Sequence, residues 1–406
     1  MSALDIVGDD LKTELPTGET VRFAHLDYAA SAPCVEAAAQ AVAELLPRYG
    51  SVHRGTGVRS QTSTVAYEVA RDVVAEFVGA RADDQVIFTR NTTDALNLLA
   101  RALPAGTTTI LFDGEHHANL LPWPNPLRLP APESAYEAIK SLKDALSVTK
   151  GTRVLTVTGA SNVTGEIWPV RELADIAHAH GVRVIVDAAQ LAPHRPANLD
   201  HLGADFLAFS GHKLYAPFGA GVLVGRADWL DAAEPYLYGG GASATVGDRP
   251  GELTWATGPA RHEGGTPNLL GAAAIAAVCA ALLVADRDAL HRHEQDLLAR
   301  LRGSLPDGVR EMSLFGPDHP RVGIVSLALP GHDPARVAHR LGREFGIGVR
   351  AGQFCAHPLV RRLTKSDATA TCESGQNALL RASFGLGSTT EDVDRFTAAL
   401  GEILRS

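Results

Sequence analysis

The stretch "FLAFSGHKLYAPFGAGVLVG", Phe206 to Gly225, sets two apolar runs on either side of a polar knot, Ser210-Gly211-His212-Lys213. Strands that are apolar on both faces belong to parallel sheets covered by helices on both sides. "VRVIVDAA" (Val182–Ala189) is a run of the same kind, and it ends on an acid, Asp187. The helical "VRELADIAHAHG" before it closes on a C-cap glycine, Gly181. Further toward the N-terminus, "QVIFT" (Gln85–Thr89) precedes the helical "TDALNLLARAL", and "TTTILF" (Thr107–Phe112) and "TRVLTVTG" (Thr152–Gly159) follow. Alternating strands and helices predict an α/β fold around a mostly parallel sheet. Ligands in such sheets bind outside the carboxyl ends of the strands, so the polar residues there are the candidates for function.

The pattern changes after residue 265. "LLGAAAIAAVCAALLVA" (Leu269–Ala285) reads as a buried helix, within a helical region that runs to about Arg302. "RVGIVSLALP", "DPARVAHRLGREFG", "IGVRAG", "ALLRASFG" and a last helix from Thr390 describe a smaller α+β domain. The expected partition is an N-terminal segment, 1–24, packing on the small domain, a large domain over 25–265, a helical connection over 266–302 and a small domain over 303–406. "YLYGGGASATVGDRPGEL" (Tyr236–Leu253) reads as a Gly-rich mobile loop.

At 406 residues the chain suits two or three domains. Its net charge is -9 and it carries no Lys/Arg run, which points away from nucleic acid as a partner. No run reaches the ~20 apolar residues that span a bilayer. The acidic N-terminus lacks a signal peptide's apolar core, so a cytoplasmic protein is expected. None of the four cysteines, Cys34, Cys279, Cys355 and Cys372, forms a CxxC pair, so no metal site is expected and the thiols should stay free.

Lys213 lies just past a buried strand. Desolvation disfavours an ammonium, and a neutral lysine can attack an aldehyde. A lone lysine in a turn also reads as a solvated loop residue. Lys213 has company, however. Asp187 ends a neighbouring strand, Ser210 and His212 flank the lysine as phosphate ligands, and Thr92 and Thr93 open a helix whose free N–H groups favour an anion.

With these residues in view, the chain resembles the class V aminotransferase family of pyridoxal-phosphate (PLP) enzymes, most of all the group-II cysteine desulfurases and selenocysteine lyases. The resemblance is carried in order from about residue 25 to 387 by "HLDYAASAP", "VHRG", "NTTDALNLLA", "EHHANLLPW", "SNVTGEIWPV", "VDAAQLAPH", "SGHKLYAPFGAGVLVG", "HEGGTPN", "RAGQFCAHPL" and "LRASFG". It implies the PLP-dependent transferase fold of type I: a large domain with a mostly parallel, seven-stranded sheet, plus a smaller α+β C-terminal domain. Lys213 would hold PLP covalently, Asp187 would pair with the ring nitrogen and Gln190 with the ring hydroxyl. His116 would stack on the ring and move protons. Thr92, Thr93, Ser210 and His212 would bind the phosphate. Asn162 would contact the cofactor or the carboxylate side of the substrate. Arg381 would clamp the substrate carboxylate, with Arg350 and Ala30 nearby. Thr266 would reach the phosphate in a neighbouring subunit, implying a homodimer with shared sites.

Cys355 stands at the position of the desulfurase nucleophile. The implied reaction takes sulfur or selenium from L-cysteine or selenocysteine as a persulfide and leaves alanine, with a sulfur-acceptor protein as a further partner. Positive groups such as Arg350 or His357 favour the thiolate that this chemistry needs. Two departures bear on the substrate. Gln353 and Phe354 stand where the family usually carries two histidines, and an insert spans about 359–378 and holds Cys372. Alternatives therefore stay open: a C–S β-lyase giving pyruvate and ammonia, an epimerase or aminotransferase on the same scaffold, or a catalytically idle binding protein.

Overall fold

The apolar runs pair into one seven-stranded sheet in a computed structural model that describes residues 4–365 and 377–406. Its order is Asp84–Thr89, Gly221–Arg226, Phe206–Ser210, Arg183–Asp187, Arg153–Thr158, Thr108–Phe112, Pro126–Leu129. The pairings from Phe206–Ser210 to Pro126–Leu129 are parallel. Gly221–Arg226 runs antiparallel to both its neighbours. The chain between Ser210 and Gly221 is too short for the crossover of a dozen or more residues that a parallel neighbour requires. The strand must turn straight back, and that tight turn carries Lys213 at the carboxyl edge of the sheet.

Alternation along the strands sends successive side chains to opposite faces. Val184, Val186, Leu207 and Phe209 enter one core, with the helices Val58–Val78, Val170–Ala179 and Leu269–Val284. Ile185, Phe206 and Ala208 enter a second core beneath the helix Thr92–Ala102. Both faces are therefore covered, as the doubly apolar strands require.

Leu269–Val284 is the buried helix read from the sequence, and its alanines let it pack closely against Glu36–Leu45 and Val58–Val78. It breaks into Arg287–Gly303 with a bend of 93°. Among the described residues no single helix is long and apolar enough to cross a membrane.

The C-terminal part holds a four-stranded antiparallel sheet in the order Arg310–Glu311, Ile324–Ala328, Leu379–Ser383, Arg350–Gly352. Val325, Leu327, Leu341, Leu380 and Phe396 form its core. The N-terminal strand Ala24–His25 pairs in parallel with Ile347–Gly348, which ties the start of the chain to this part.

One expectation is corrected. The Gly-rich stretch is not a loop throughout: Ser243–Val246 pairs antiparallel with Leu253–Trp255. Thr245 and Thr254 bond across the hairpin, and the Tyr238 ring lies 4.9 Å from Trp255. Of the insert at 359–378, the first residues complete the helix His357–Leu363, while residues 366–376, with Cys372, lie outside the described residues.

Candidate active site

The tight turn docks on the start of a helix. The Ser210 hydroxyl oxygen accepts a hydrogen bond from the Thr92 N–H at 2.8 Å and lies 2.6 Å from the Thr92 hydroxyl. Asn91 caps that helix by accepting from the Asp94 N–H. Gly221 makes the approach feasible, because a Cβ there would sit 2.5 Å from the Asn91 Cα. Thr92 and Ser210, expected as separate phosphate ligands, thus bond to each other. Thr93 is exposed beside them at the cavity.

Lys213 keeps part of its surface open to the cavity, yet its amine is pushed down to about 8. Burial is the main cause. Arg381 and Arg350 add to it, while Asp187 and Cys355 oppose it. Asp187 is buried, and desolvation pushes its carboxyl up. Its carboxylate accepts one hydrogen bond among the described residues, from the Ala189 N–H at 3.0 Å. Gln190 donates to the Ala29 carbonyl at 2.8 Å.

His116 caps the short helix His117–Leu120, its Nδ1 accepting from the Ala118 N–H at 3.1 Å. A lone pair is thereby committed at Nδ1, and the neutral ring carries its proton on Nε2. Burial, followed by Lys213, pushes His116 down to about 3, so the ring is neutral at physiological pH. Glu115 behind it is fully buried and holds the Asn119 amide and the Thr158 N–H.

Cys355 is exposed at the far wall, and its turn is strained. Phe354 and Cys355 have φ of 51° and 54°, where a residue with a Cβ pays about 1–3 kcal/mol. The Phe354 carbonyl accepts from the Asn162 side chain at 2.7 Å, and the Cys355 carbonyl from the His117 N–H at 2.7 Å. Arg381, 2% exposed, donates to Asp27 and to the Asn162 carbonyl, each at 2.9 Å. Its Nε is buried and has no partner among the described residues.

One cavity gathers Ala30, Thr92, Thr93, His116, Asn162, Asp187, Gln190, Ser210, His212, Lys213, Arg350, Cys355 and Arg381. Its volume is about 210 Å³. Thr266 is exposed and does not line it. Asp27 and Glu115 escaped the reading of the sequence, and Phe354 was read there only as a departure from the family's usual histidine. Asp27 and Glu115 lay inside the quoted "HLDYAASAP" and "EHHANLLPW", but nothing local marks an acid that is needed by a distant arginine or buried below a histidine.

The family model for class-V aminotransferases matches residues 24–396. The chain belongs to that family. Among curated class-V relatives, a cysteine desulfurase of Klebsiella pneumoniae is 37% identical over 94% of this chain and 93% of that protein. A probable cysteine desulfurase of Halalkalibacterium halodurans is 36% identical over 93% and 92%. The apo structure of a cysteine desulfurase from Thermococcus onnurineus superposes with a TM-score of 0.84, at 31% identity and with full coverage of both chains. The Escherichia coli cysteine desulfurase CsdA, in its S-sulfonic acid form, gives 0.80 at 31% identity over 97% of each chain.

Enzymes of the class-V family depend on PLP, and the donor set here fits that cofactor. An aldehyde can meet the Lys213 amine. A buried carboxylate such as Asp187, which accepts only the Ala189 N–H among the described residues, suits a protonated ring nitrogen. The helix start at Thr92 and Thr93, with His212 beside it, suits a phosphate.

Proposed function

We propose that this protein is a PLP-dependent cysteine desulfurase that takes sulfur, or selenium, from L-cysteine or selenocysteine and leaves alanine. The observation that carries the reading is the exposed Cys355 thiol lining the same cavity as Lys213, Asp187 and Arg381. The names of the relatives support it.

PLP, when bound, supplies an electron sink for the carbon skeleton of the substrate. Lys213, Asp187 and Gln190 hold its ring, and Thr93, Ser210 and His212 hold its phosphate, with Thr92 fixing Ser210. Arg381 lines the cavity on the side of the substrate carboxylate, and the Asp27 and Asn162 contacts fix the guanidinium plane. Arg350 and Ala30 shape that side. Lys213, with a pKa near 8, can both take up and release a proton at Nζ near neutrality. His116, neutral, presents Nε2–H to the cavity.

Cys355, as a thiolate, attacks the sulfur of the substrate. A sulfur–sulfur bond forms and the carbon–sulfur bond breaks. The electron pair stays with the carbon, which takes a proton to become the methyl group of alanine, and the enzyme keeps a persulfide for an acceptor protein. Thr266, exposed and outside its own cavity, suits contact with a second copy's phosphate, giving a homodimer with shared sites. A reducing cytoplasm would keep Cys355 a thiol.

The test is the three-carbon product formed when PLP-loaded protein is incubated with L-cysteine. Alanine is expected. Pyruvate with ammonia would make the enzyme a β-lyase and overturn the reading.

A further inference from the structure

Asn162, Phe354 and Arg381 are buried and touch one another pairwise. The Asn162 side-chain amide donates to the Phe354 carbonyl at 2.7 Å. The Asn162 carbonyl accepts from Arg381 Nη1 at 2.9 Å. The Arg381 guanidinium closes the triangle by lying over the Phe354 ring, 4.7 Å from its centroid. The next residue in the chain is Cys355. Phe354 and Cys355 are consecutive left-handed residues, and neither is glycine. Such a pair persists only where its surroundings over-determine it. Here the Phe354 carbonyl is held by Asn162 and the Cys355 carbonyl by the His117 N–H.

We propose that Asn162 is a positioning residue for Cys355, and that Phe354 couples the thiol turn to Arg381. The proposal rests on the desulfurase reading for its chemical meaning. The nucleophile must meet a sulfur whose location is set by the carboxylate at the other end of a short substrate. A thiol turn braced on the arginine that holds that carboxylate shares one frame with the substrate. The distance from carboxylate anchor to nucleophile is then built in before the substrate arrives. One side-chain N–H of Asn162 is spent on this brace, which narrows what it offers a bound cofactor. Phe354, standing where a histidine is usual in the family, supplies a ring that packs on the guanidinium and carries no proton that titrates near neutrality.

The test compares PLP-loaded wild type with Asn162→Ala, Phe354→Leu and Phe354→Tyr. Hydrogen exchange of the amides of Ala356 and His117, which bond to the Gln353 and Cys355 carbonyls, reads the turn directly. Melting temperature checks folding, and the visible band of bound cofactor checks loading. In Asn162→Ala and Phe354→Leu, exchange should quicken by about tenfold or more. The kcat should fall by about tenfold to a hundredfold, as for a reacting group misplaced by ~1 Å. The KM and the cofactor band should change little. Phe354→Tyr, which keeps the ring over the guanidinium, should keep the slow exchange of the turn. Unchanged exchange in Asn162→Ala would overturn the proposal. So would loss of the cofactor band with the turn still protected, because Asn162 would then be a cofactor ligand only. If wild type formed no alanine, the desulfurase reading would fail, while the exchange data would still decide whether Asn162 and Phe354 hold the turn.

Discussion

Arg381 Nη2 donates to Asp27 Oδ1 at 2.9 Å across 354 residues of sequence. The guanidinium is almost wholly buried and this carboxylate is its counter-charge. Removing one partner of such a pair leaves an uncompensated buried charge. Asp27→Ala should therefore lose about 3 kcal/mol or more of unfolding free energy, with kcat/KM for L-cysteine reduced as the arginine loses its fixed plane. Denaturant unfolding checks this, and an unchanged midpoint would show that Asp27 does not support Arg381.

Cys355→Ala should retain the cofactor band and lose alanine formation by on the order of a hundredfold or more, the scale of removing a nucleophile. The rate of alanine release checks it. Full activity would remove Cys355 from the reaction.

Gly221→Ala should destabilise the protein by about 1–3 kcal/mol through overpacking. The added methyl would meet backbone atoms of Asn91, which cannot swing away. Because that contact seats the helix start beside Ser210, PLP affinity should fall too. A spectrophotometric PLP titration together with thermal unfolding measures both.

Cofactor uptake by the apo protein should depend on pH through Lys213. Burial lowers its pKa to about 8, so the nucleophilic neutral amine grows as pH rises toward 8 and saturates above it. The rate of PLP binding, followed by absorbance between pH 6 and 10, should reach half its maximum near 8 and level off above it. A rise that continues to the ordinary lysine range near 10.5 would show an unperturbed amine.

Glu115 gives a pH-dependent stability of definite sign. Burial raises its pKa from 4.5 to about 8, so above 4.5 the unfolded chain loses a proton that the folded chain keeps. Stability contributed by this group is full below 4.5 and is lost as pH rises toward 8. Glu115→Gln removes the titration. Its stability relative to wild type should therefore climb over that window by up to a few kcal/mol, at ~1.4 kcal/mol per pH unit. Parallel pH profiles of the two proteins would show that Glu115 ionises normally.

The parallel core of the sheet was legible because apolar runs such as Val182–Val186 have no polar face to expose. Lys213, Asp187, Ser210, His212, Thr92 and Thr93 were legible from strand ends and a helix start, seven others came from the family resemblance, and all of them line one cavity. Direction was harder to read: Gly221–Val224 looks like any buried strand, and only the brevity of the turn before it forces an antiparallel return. The hairpin at Ser243–Val246 was hidden by its glycines.

Read alone, the sequence determined what is encoded in local pattern and residue type: an α/β sheet, a lysine and an acid at adjacent strand ends, and a cysteine with an arginine downstream. Only the tertiary structure decided the pairings made at long range. The Ser210 hydroxyl oxygen accepts from the Thr92 N–H, Arg381 is neutralised by Asp27, and Asn162 reaches the turn before Cys355. The physical reason is that periodicity and propensity act between near neighbours in the chain. Hydrogen bonds and charge compensation are settled by whichever groups the folded core brings within about 3 Å.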